Sequence, residues 1–176
     1  MALENTMSGR LTRWITPEPD WNAVYAQELP RIYNYFRYRV GPGGDVEDLT
    51  SRTFEKAWRA RHRYRRDVAA FNTWLLGIAR NVATDYLRTR RWHVPLDEAA
   101  ALPTETSTPE QLAVRGSDTE RLAALMPTLD DRERELIALK FGAGLTNRDI
   151  ARATGFSESN VGTIVHRAVE TLRDRW

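Results

Sequence analysis

Residues 146–172, TNRDIARATGFSESNVGTIVHRAVETL, set Ala151, Gly155 and Val161 at the spacing of a helix-turn-helix. The small alanine lets two helices cross closely, the glycine serves the turn, and the valine locks the second helix onto the first. Thr146 with Asp149 predicts one helix cap and Ser157 a second. Ile150, Phe156, Ile164, Val165, Ala168 and Leu172 supply a buried side. Glu158, Ser159, Asn160, Thr163, His166 and Arg167 then point outward. Such a short polar set suits base edges: Asn pairs bidentately with adenine, Arg with guanine, and Thr meets a thymine methyl. For this stretch alone, a helical hairpin that binds nothing stays open as the alternative.

Charge limits what that module does alone. From Pro127 to Trp176, eight basic residues offset eight acidic ones. Phosphate neutralisation supplies most non-specific affinity for DNA, so a neutral module needs something else to hold it on its site.

The rest of the chain is also helical in pattern, with no sustained period-2 alternation bounded by hairpin turns. Asp20 caps a helix toward Arg39 that kinks or restarts at Pro30 and ends at Gly41-Pro42-Gly43-Gly44. Asp45-Val46-Glu47-Asp48 opens the next helix with acids in its first turn, where the helix dipole favours them. Its periodicity turns Leu49, Phe54, Ala57 and Trp58 inward, and it fades near Ala60. RHRYRRD reads as a polar loop before a helix over AFNTWLLGIARNVATDYLRTRRW, residues 70–92. On a wheel, Phe71, Trp74, Leu75, Ile78, Val82 and Tyr86 form its apolar stripe. Arg80, Thr84, Arg88, Arg91 and Gly77 lie opposite, with Asn81 at the border. Gly77 there would let another backbone approach. On this helix alone, Arg80, Asn81 and Arg88 are equally readable as a solvated face or a nucleic-acid contact.

Residues 94–108, VPLDEAAALPTETST, are the linker. Thr108-Pro109-Glu110-Gln111 restarts helix as an N-cap, first-turn Pro and capping-box Gln. That helix reaches Met126, with Gly116 a weak point. Asp130-Asp131-Arg132-Glu133 starts another through Phe141, ended by Gly142 and Gly144.

The basic residues are concentrated. From Arg52 to Trp92, eleven Arg/Lys face three acids, whereas Val94 to Asp118 holds five acids and only Arg115. A basic block interleaved with tyrosine and tryptophan is an electrostatic footprint for nucleic acid. The chain has no cysteine and three scattered histidines, so neither disulfides nor a metal site is expected. No apolar run approaches the ~20 residues a membrane span needs, and a cytoplasmic protein without membrane insertion is expected. No nucleophile–base pair or phosphate-cradling Gly loop points to an enzyme, and no cofactor is implied.

In that order, VEDLTSRTFEKAW, FNTWLLGIARNVATDYLRTRR, a linker, LMPTLDDRERELIALKF and LTNRDIARATGFSESNVGTIVHRAVETLR together resemble a bacterial RNA polymerase sigma factor. The type is the extracytoplasmic-function (ECF) one, which keeps only sigma regions 2 and 4. The resemblance implies an all-α fold of two small helical domains joined by a flexible linker. Residues 1–19 would be a flexible lead-in, 20–93 region 2, 94–108 the acidic linker and 109–176 region 4.

It also implies partners and sites. Region 2 would dock on the clamp coiled coil of the polymerase largest subunit through Asp45, Asp48, an exposed Leu49, Arg52 and Glu55. Arg61, Arg63, Tyr64, Arg65, Asn72, Arg80, Asn81, Arg88 and Arg91 would open the −10 element and hold its unpaired strand. Arg148, Ser157, Ser159, Asn160, Thr163, His166 and Arg167 would serve the duplex −35 element. The beta flap of the polymerase would be a further contact. The linker would thread toward the polymerase active centre, and control would come from a separate anti-sigma factor. One departure stands out: many relatives carry Lys and Arg in the recognition helix where this chain has Gly162 and Ile164. The alternative function is a stand-alone LuxR-like helix-turn-helix regulator, which would bind a symmetric operator tightly without polymerase.

Overall fold

The computed structural model describes residues 20–41, 43, 45–93 and 118–176, without the side chains of 91–93, 119, 120 and 123. Among these residues the structure is helical throughout. The expectations for the lead-in, the linker and a helix start at Thr108 fall outside the described residues.

Helix α1 spans Trp21–Val40, with the Asp20 carboxylate accepting from the Asn22 and Ala23 amides. It continues through Pro30 as a single helix, so the helix does not restart there. Helix α2 spans Asp45–Ala60 and a 3-10 turn covers Arg61–Arg63. Helix α3 spans Phe71–His93. These three pack on one another around Ile32, Phe36, Val46, Leu49, Leu75 and Val82.

Two expectations in this half are corrected. Trp58 does not point inward: it is 47% exposed. The α2 core face is centred on Val46, Leu49, Thr50, Thr53 and Ala57, and one more residue carries Trp58 round to the rim. Thr50 and Thr53 are accommodated inside because their hydroxyls donate to the Val46 and Leu49 carbonyls at 2.7 and 2.8 Å. The buried face of α3 is also rotated from the expected stripe, by roughly 70° of helical wheel. Leu75, Leu76, Ala79, Val82 and Ala83 form it, while Phe71, Trp74, Ile78 and Tyr86 are half-buried. Two alanines at the centre let α3 lie close against its neighbours, which periodicity of large side chains does not reveal.

The C-terminal half comprises α4 (Asp118–Leu125), a 3-10 turn (Met126–Thr128), α5 (Asp131–Ile137), a π turn (Ala138–Gly142), α6 (Asn147–Thr154) and α7 (Glu158–Arg173). A full capping box opens α5. Asp130 accepts from the Glu133 amide at 2.8 Å, and Glu133 accepts from the Asp130 amide at 3.2 Å. The expected α-helix through Phe141 instead widens into the π turn, where the Ala143 amide donates five residues back to Ala138 at 2.9 Å. That turn packs on α1. A Cβ at Gly142 would lie 2.9 Å from the Asn34 carbonyl oxygen and from Tyr38, so only glycine allows this approach. The two halves therefore meet across α1 and share one continuous core.

Candidate nucleic-acid and polymerase interface

The helix-turn-helix forms as its spacing predicts. Thr146 accepts from the Asp149 amide at 3.2 Å and Ser157 from the Asn160 amide at 3.2 Å, capping α6 and α7. Gly155 closes α6 in the left-handed region at φ 78°, a conformation that penalises any Cβ. Ile150, Val161, Ile164, Val165, Ala168 and Leu172 are buried, and Phe156 is half-buried. Every expected −35 residue is exposed: Arg148, Ser157, Ser159, Asn160, Thr163, His166 and Arg167. They share the start and the outer face of α7, with Arg148 alongside on α6. Two carry light internal pairings. Arg148 lies 3.6 Å from Glu158, and Arg167 donates to Glu133 at 3.2 Å. Pairs between solvent-facing side chains such as Arg148 and Glu158 are worth about 0–1 kcal/mol, so the pairing does not fix the Arg148 guanidinium in place. Gly162 has only the Asn147 side-chain amide nitrogen near a Cβ position, at 3.6 Å, so the surface of α7 is notched there.

The start of α2 presents Asp45, Asp48, Arg52 and Glu55 on its exposed side. Asp45 accepts from the Tyr86 hydroxyl at 2.6 Å, and Arg90 donates to that hydroxyl at 3.0 Å. Burial, then the bond to Asp45, holds the Tyr86 pKa above its ordinary value. Glu55 accepts from Arg59 one turn on. Leu49 departs from expectation: at 2% exposure it is a core residue of the bundle and presents nothing to a partner. It lies one residue after Asp48, where the helix turns 100° inward.

The segment 61–72 is organised by aromatic rings. Tyr64 packs against Phe71 and Trp74 with centroids 5.2 and 5.3 Å away, and its hydroxyl donates to the Ala69 carbonyl at 3.2 Å. Trp21 meets Phe71 and Trp58 edge-on. The Arg61 guanidinium lies 4.1 Å from the Trp58 ring and donates to the Trp58 carbonyl at 2.9 Å. Around this cluster Arg63 and Arg65 are exposed, Arg65 paired with Asp67 at 2.6 Å, which raises its pKa. Asn72 is half-buried and accepts from the Thr73 amide at 2.8 Å.

On α3, Asn81 and Arg88 are exposed, Arg88 with Asp85 at 3.1 Å. The Arg91 side chain falls outside the described residues. Gly77 faces open space, so no described backbone uses the room that it leaves. Arg80 is placed unexpectedly. Its Nε donates to Glu135 of α5 at 2.8 Å, and Nη1 donates to the Ala153 carbonyl at the end of α6. No signal in the sequence identifies a partner 55 residues away.

Comparison with known proteins agrees with this geometry. Residues 24–93 match the model for Sigma-70 region 2 and residues 119–172 that for Sigma-70, region 4. The ECF RNA polymerase sigma factor ShbA of Streptomyces griseus is 30% identical over 97% of this chain and 95% of its own length. The chain belongs to the ECF sigma factors. CarQ, an RNA polymerase sigma factor of Myxococcus xanthus, is 32% identical over 86% of each chain. ECF sigma factor BldN of Streptomyces coelicolor is 30% identical over 85% of this chain, which spans 57% of BldN. Among solved structures, CnrH, in complex with the cytosolic domain of CnrY, aligns with a TM-score of 0.63 at 26% identity, over 88% of this sigma factor and 85% of that chain. The fold is shared with the RpoE sigma factor of Bartonella quintana, solved with the anti-sigma factor NepR, at a TM-score of 0.70 and 21% identity, covering 88% and 95%. Among the described residues no helix is long and apolar enough to cross a membrane.

Proposed function

We propose that this sigma factor binds core RNA polymerase, directs it to −35/−10 promoters and promotes melting at −10. The observation that carries the reading is the ordered display on one chain of three exposed faces. These are an acidic helix start on α2, a basic loop over an aromatic cluster leading into α3, and a capped recognition helix α7 with short polar side chains outward.

Each face has its own chemistry. Asp45, Asp48, Arg52 and Glu55 offer charge complementarity to the clamp coiled coil, which favours encounter and register. Arg61, Arg63, Arg65, Arg88 and Arg91 neutralise phosphates of a displaced strand, while Tyr64, Asn72 and Asn81 meet a splayed base by stacking and amide hydrogen bonds. Arg80 joins them as a phosphate contact. Preferential binding of the single strand supplies the melting free energy, so no covalent step is needed. Arg148, Ser157, Ser159, Asn160, Thr163, His166 and Arg167 enter the major groove at −35.

The beta flap finds a matching surface in the C-terminal half. Leu122, Ile137, Phe141, Val169, Leu172 and Trp176 line an apolar groove of about 220 Å³. Phe141 and Trp176 are 51% and 47% exposed there. An anti-sigma factor would act by covering these same faces.

Run-off transcription with purified core polymerase, with and without this chain, on a panel of candidate promoters tests the reading. Initiation at discrete start sites only when the chain is present is expected. Tight operator binding by the chain alone, with no polymerase-dependent initiation, would overturn it.

A further inference from the structure

The start of α1 and the end of α2 meet through a ladder of rings. Trp21 and Tyr25 stand one turn apart on α1, and Phe54 and Trp58 one turn apart on α2. Trp21 meets Trp58 edge-on with centroids 5.2 Å apart, and Tyr25 meets Phe54 at 4.6 Å. Phe54 is buried and Trp21 half-buried, whereas Tyr25 and Trp58 are 46% and 47% exposed. Each exposed ring is therefore backed by an inner one, while part of its surface meets water. The ladder continues into the segment proposed to hold the −10 strand. Trp21 meets Phe71 at 5.5 Å and Phe71 meets Tyr64 at 5.2 Å, so one track of rings runs from Tyr64 to Trp58.

Charge says what this track accepts. Lys56 to Arg66 holds six Arg/Lys and no acid, and Glu55 just before it is paired with Arg59. Such a surface draws a polyanion and repels a basic partner. The Trp58 ring also carries a planar group already. The Arg61 guanidinium lies 4.1 Å from its centroid and donates to the Trp58 carbonyl at 2.9 Å. Stacking of a base on an aromatic ring is worth more than a cation–π contact at an exposed site. A base that reaches Trp58 therefore replaces the guanidinium, which turns to the neighbouring phosphate.

We infer that Trp58 is a stacking site for a further unpaired base of the promoter strand, beyond the base met by Tyr64 and Asn72. Tyr25, one turn along the ladder, extends the platform, and Arg61 exchanges between the ring and the flanking phosphate. Every base has a π-face, so stacking here is tolerant of sequence. The site adds grip on the open strand, and with it melting free energy, without adding to base selection. The inference rests on the reading of residues 61–72 as a single-strand contact.

The test uses holoenzyme assembled from the full chain and core polymerase, with core polymerase alone as the baseline. Two labelled single strands are the probes, an oligo-dT 20-mer and an abasic 20-mer that offers backbone without bases. Fluorescence anisotropy should show Trp58→Leu weakening oligo-dT binding roughly tenfold, within the range of one base stack, with the salt slope unchanged. Trp58→Phe keeps a ring and should retain most of the affinity. Arg61→Gln should lower the log–log salt slope by about 0.7, one phosphate contact on a single strand. On the abasic strand the parent and Trp58→Leu should bind alike. A 20-mer carrying 5-iodouracil, irradiated on the parent holoenzyme, should crosslink to Trp58 or Tyr25, as mapped by peptide mass spectrometry; this readout needs no variant to fold. Equal losses on both strands, a loss of core-polymerase affinity in Trp58→Leu, or no crosslink at either ring would overturn the stacking site. A parent that binds oligo-dT while Trp58→Leu matches it overturns this site alone. A parent holoenzyme that binds no better than core polymerase overturns the single-strand reading of residues 61–72 along with it.

Discussion

The Tyr86 hydroxyl donates to the Asp45 carboxylate at 2.6 Å, tying the far end of α3 to the first turn of α2. The helix proposed to hold the −10 strand is thus pinned to the helix proposed to meet the polymerase. Tyr86→Phe removes the bond with little change in shape. An expected loss of about 0.5–1.5 kcal/mol, typical of one hydrogen bond, is read from urea unfolding. The Asp45→Asn change should cost less than Tyr86→Phe in the same assay, because the amide oxygen still accepts.

Asp48 and Leu49 are adjacent and do different work. Asp48→Arg reverses charge on an exposed face in the first turn of α2, so stability should fall by only about 1 kcal/mol, the helix-dipole share, while polymerase binding is lost. Removing one partner of an interfacial charge pair costs about 2–5 kcal/mol, which a competition assay against a second sigma factor detects. Unaltered polymerase affinity would remove Asp48 from the docking face.

Leu49→Ala should act through the fold. At 2% exposure, truncation leaves a cavity and an expected destabilisation of about 2–5 kcal/mol. At a temperature where the variant is still folded, its affinity for polymerase should match the parent's. A stable variant with lost affinity would return Leu49 to the docking surface.

Much of this architecture is local and was therefore legible. Asp20, Asp130, Thr146 and Ser157 each cap a helix with groups two or three residues away. Gly155 needs only its own φ. The outward face of α7 followed from the helical period because the helix is buried on one side and solvated on the other. What escaped was tertiary. Trp58 lies at the rim because Ala57 and Thr53, not the larger tryptophan, face the core. Leu49 could be read both inward and outward until packing decided. The π turn exists because Gly142 meets α1, more than 100 residues earlier in the chain, and Arg80's partners lie in another half altogether. Periodicity reports which face is apolar, never which surface arrives to cover it.

Tyr35 lies at the junction, fully buried, and its hydroxyl has no hydrogen-bond partner among the described residues. Burial foremost, then the Glu135 carboxylate, pushes its pKa well above the ordinary value near 10; Arg39 and Arg80 oppose the shift. Ionisation is thus favoured in the unfolded chain over the folded one. The stability that this group contributes is fully present below about pH 10 and declines above it, by up to about 1.4 kcal/mol per pH unit. Tyr35→Phe should remove that share of the alkaline decline and leave neutral-pH stability equal or slightly higher, since no satisfied bond is lost. Unfolding curves at pH 7 and across pH 9.5–11 compare the two. A clear loss of stability at pH 7 would show that the hydroxyl does find a partner.

Recognition at −35 separates into reading and gripping, and two residues on neighbouring helices distinguish them. Asn160 sits in the first turn of α7, its side chain exposed and its amide nitrogen already engaged by Ser157. That leaves the carboxamide free to meet one base edge. Asn160→Ala should cost about 1–3 kcal/mol on the preferred −35 sequence and relax selectivity at a single base pair. Arg148 projects from α6, beside α7, toward Glu158 at 3.6 Å, a position suited to phosphate. Arg148→Ala should weaken all sequences about equally and lower the salt slope by about 1. Holoenzyme binding to a library of −35 variants at two salt concentrations measures both quantities at once. If Asn160→Ala weakened every sequence alike, it would be a phosphate contact, and base selection would fall to Ser159 and Thr163 on the same face. Gly162 bears on the outcome: with no side chain at that point on α7, contacts from Asn160, Thr163 and Arg167 carry more of the selection.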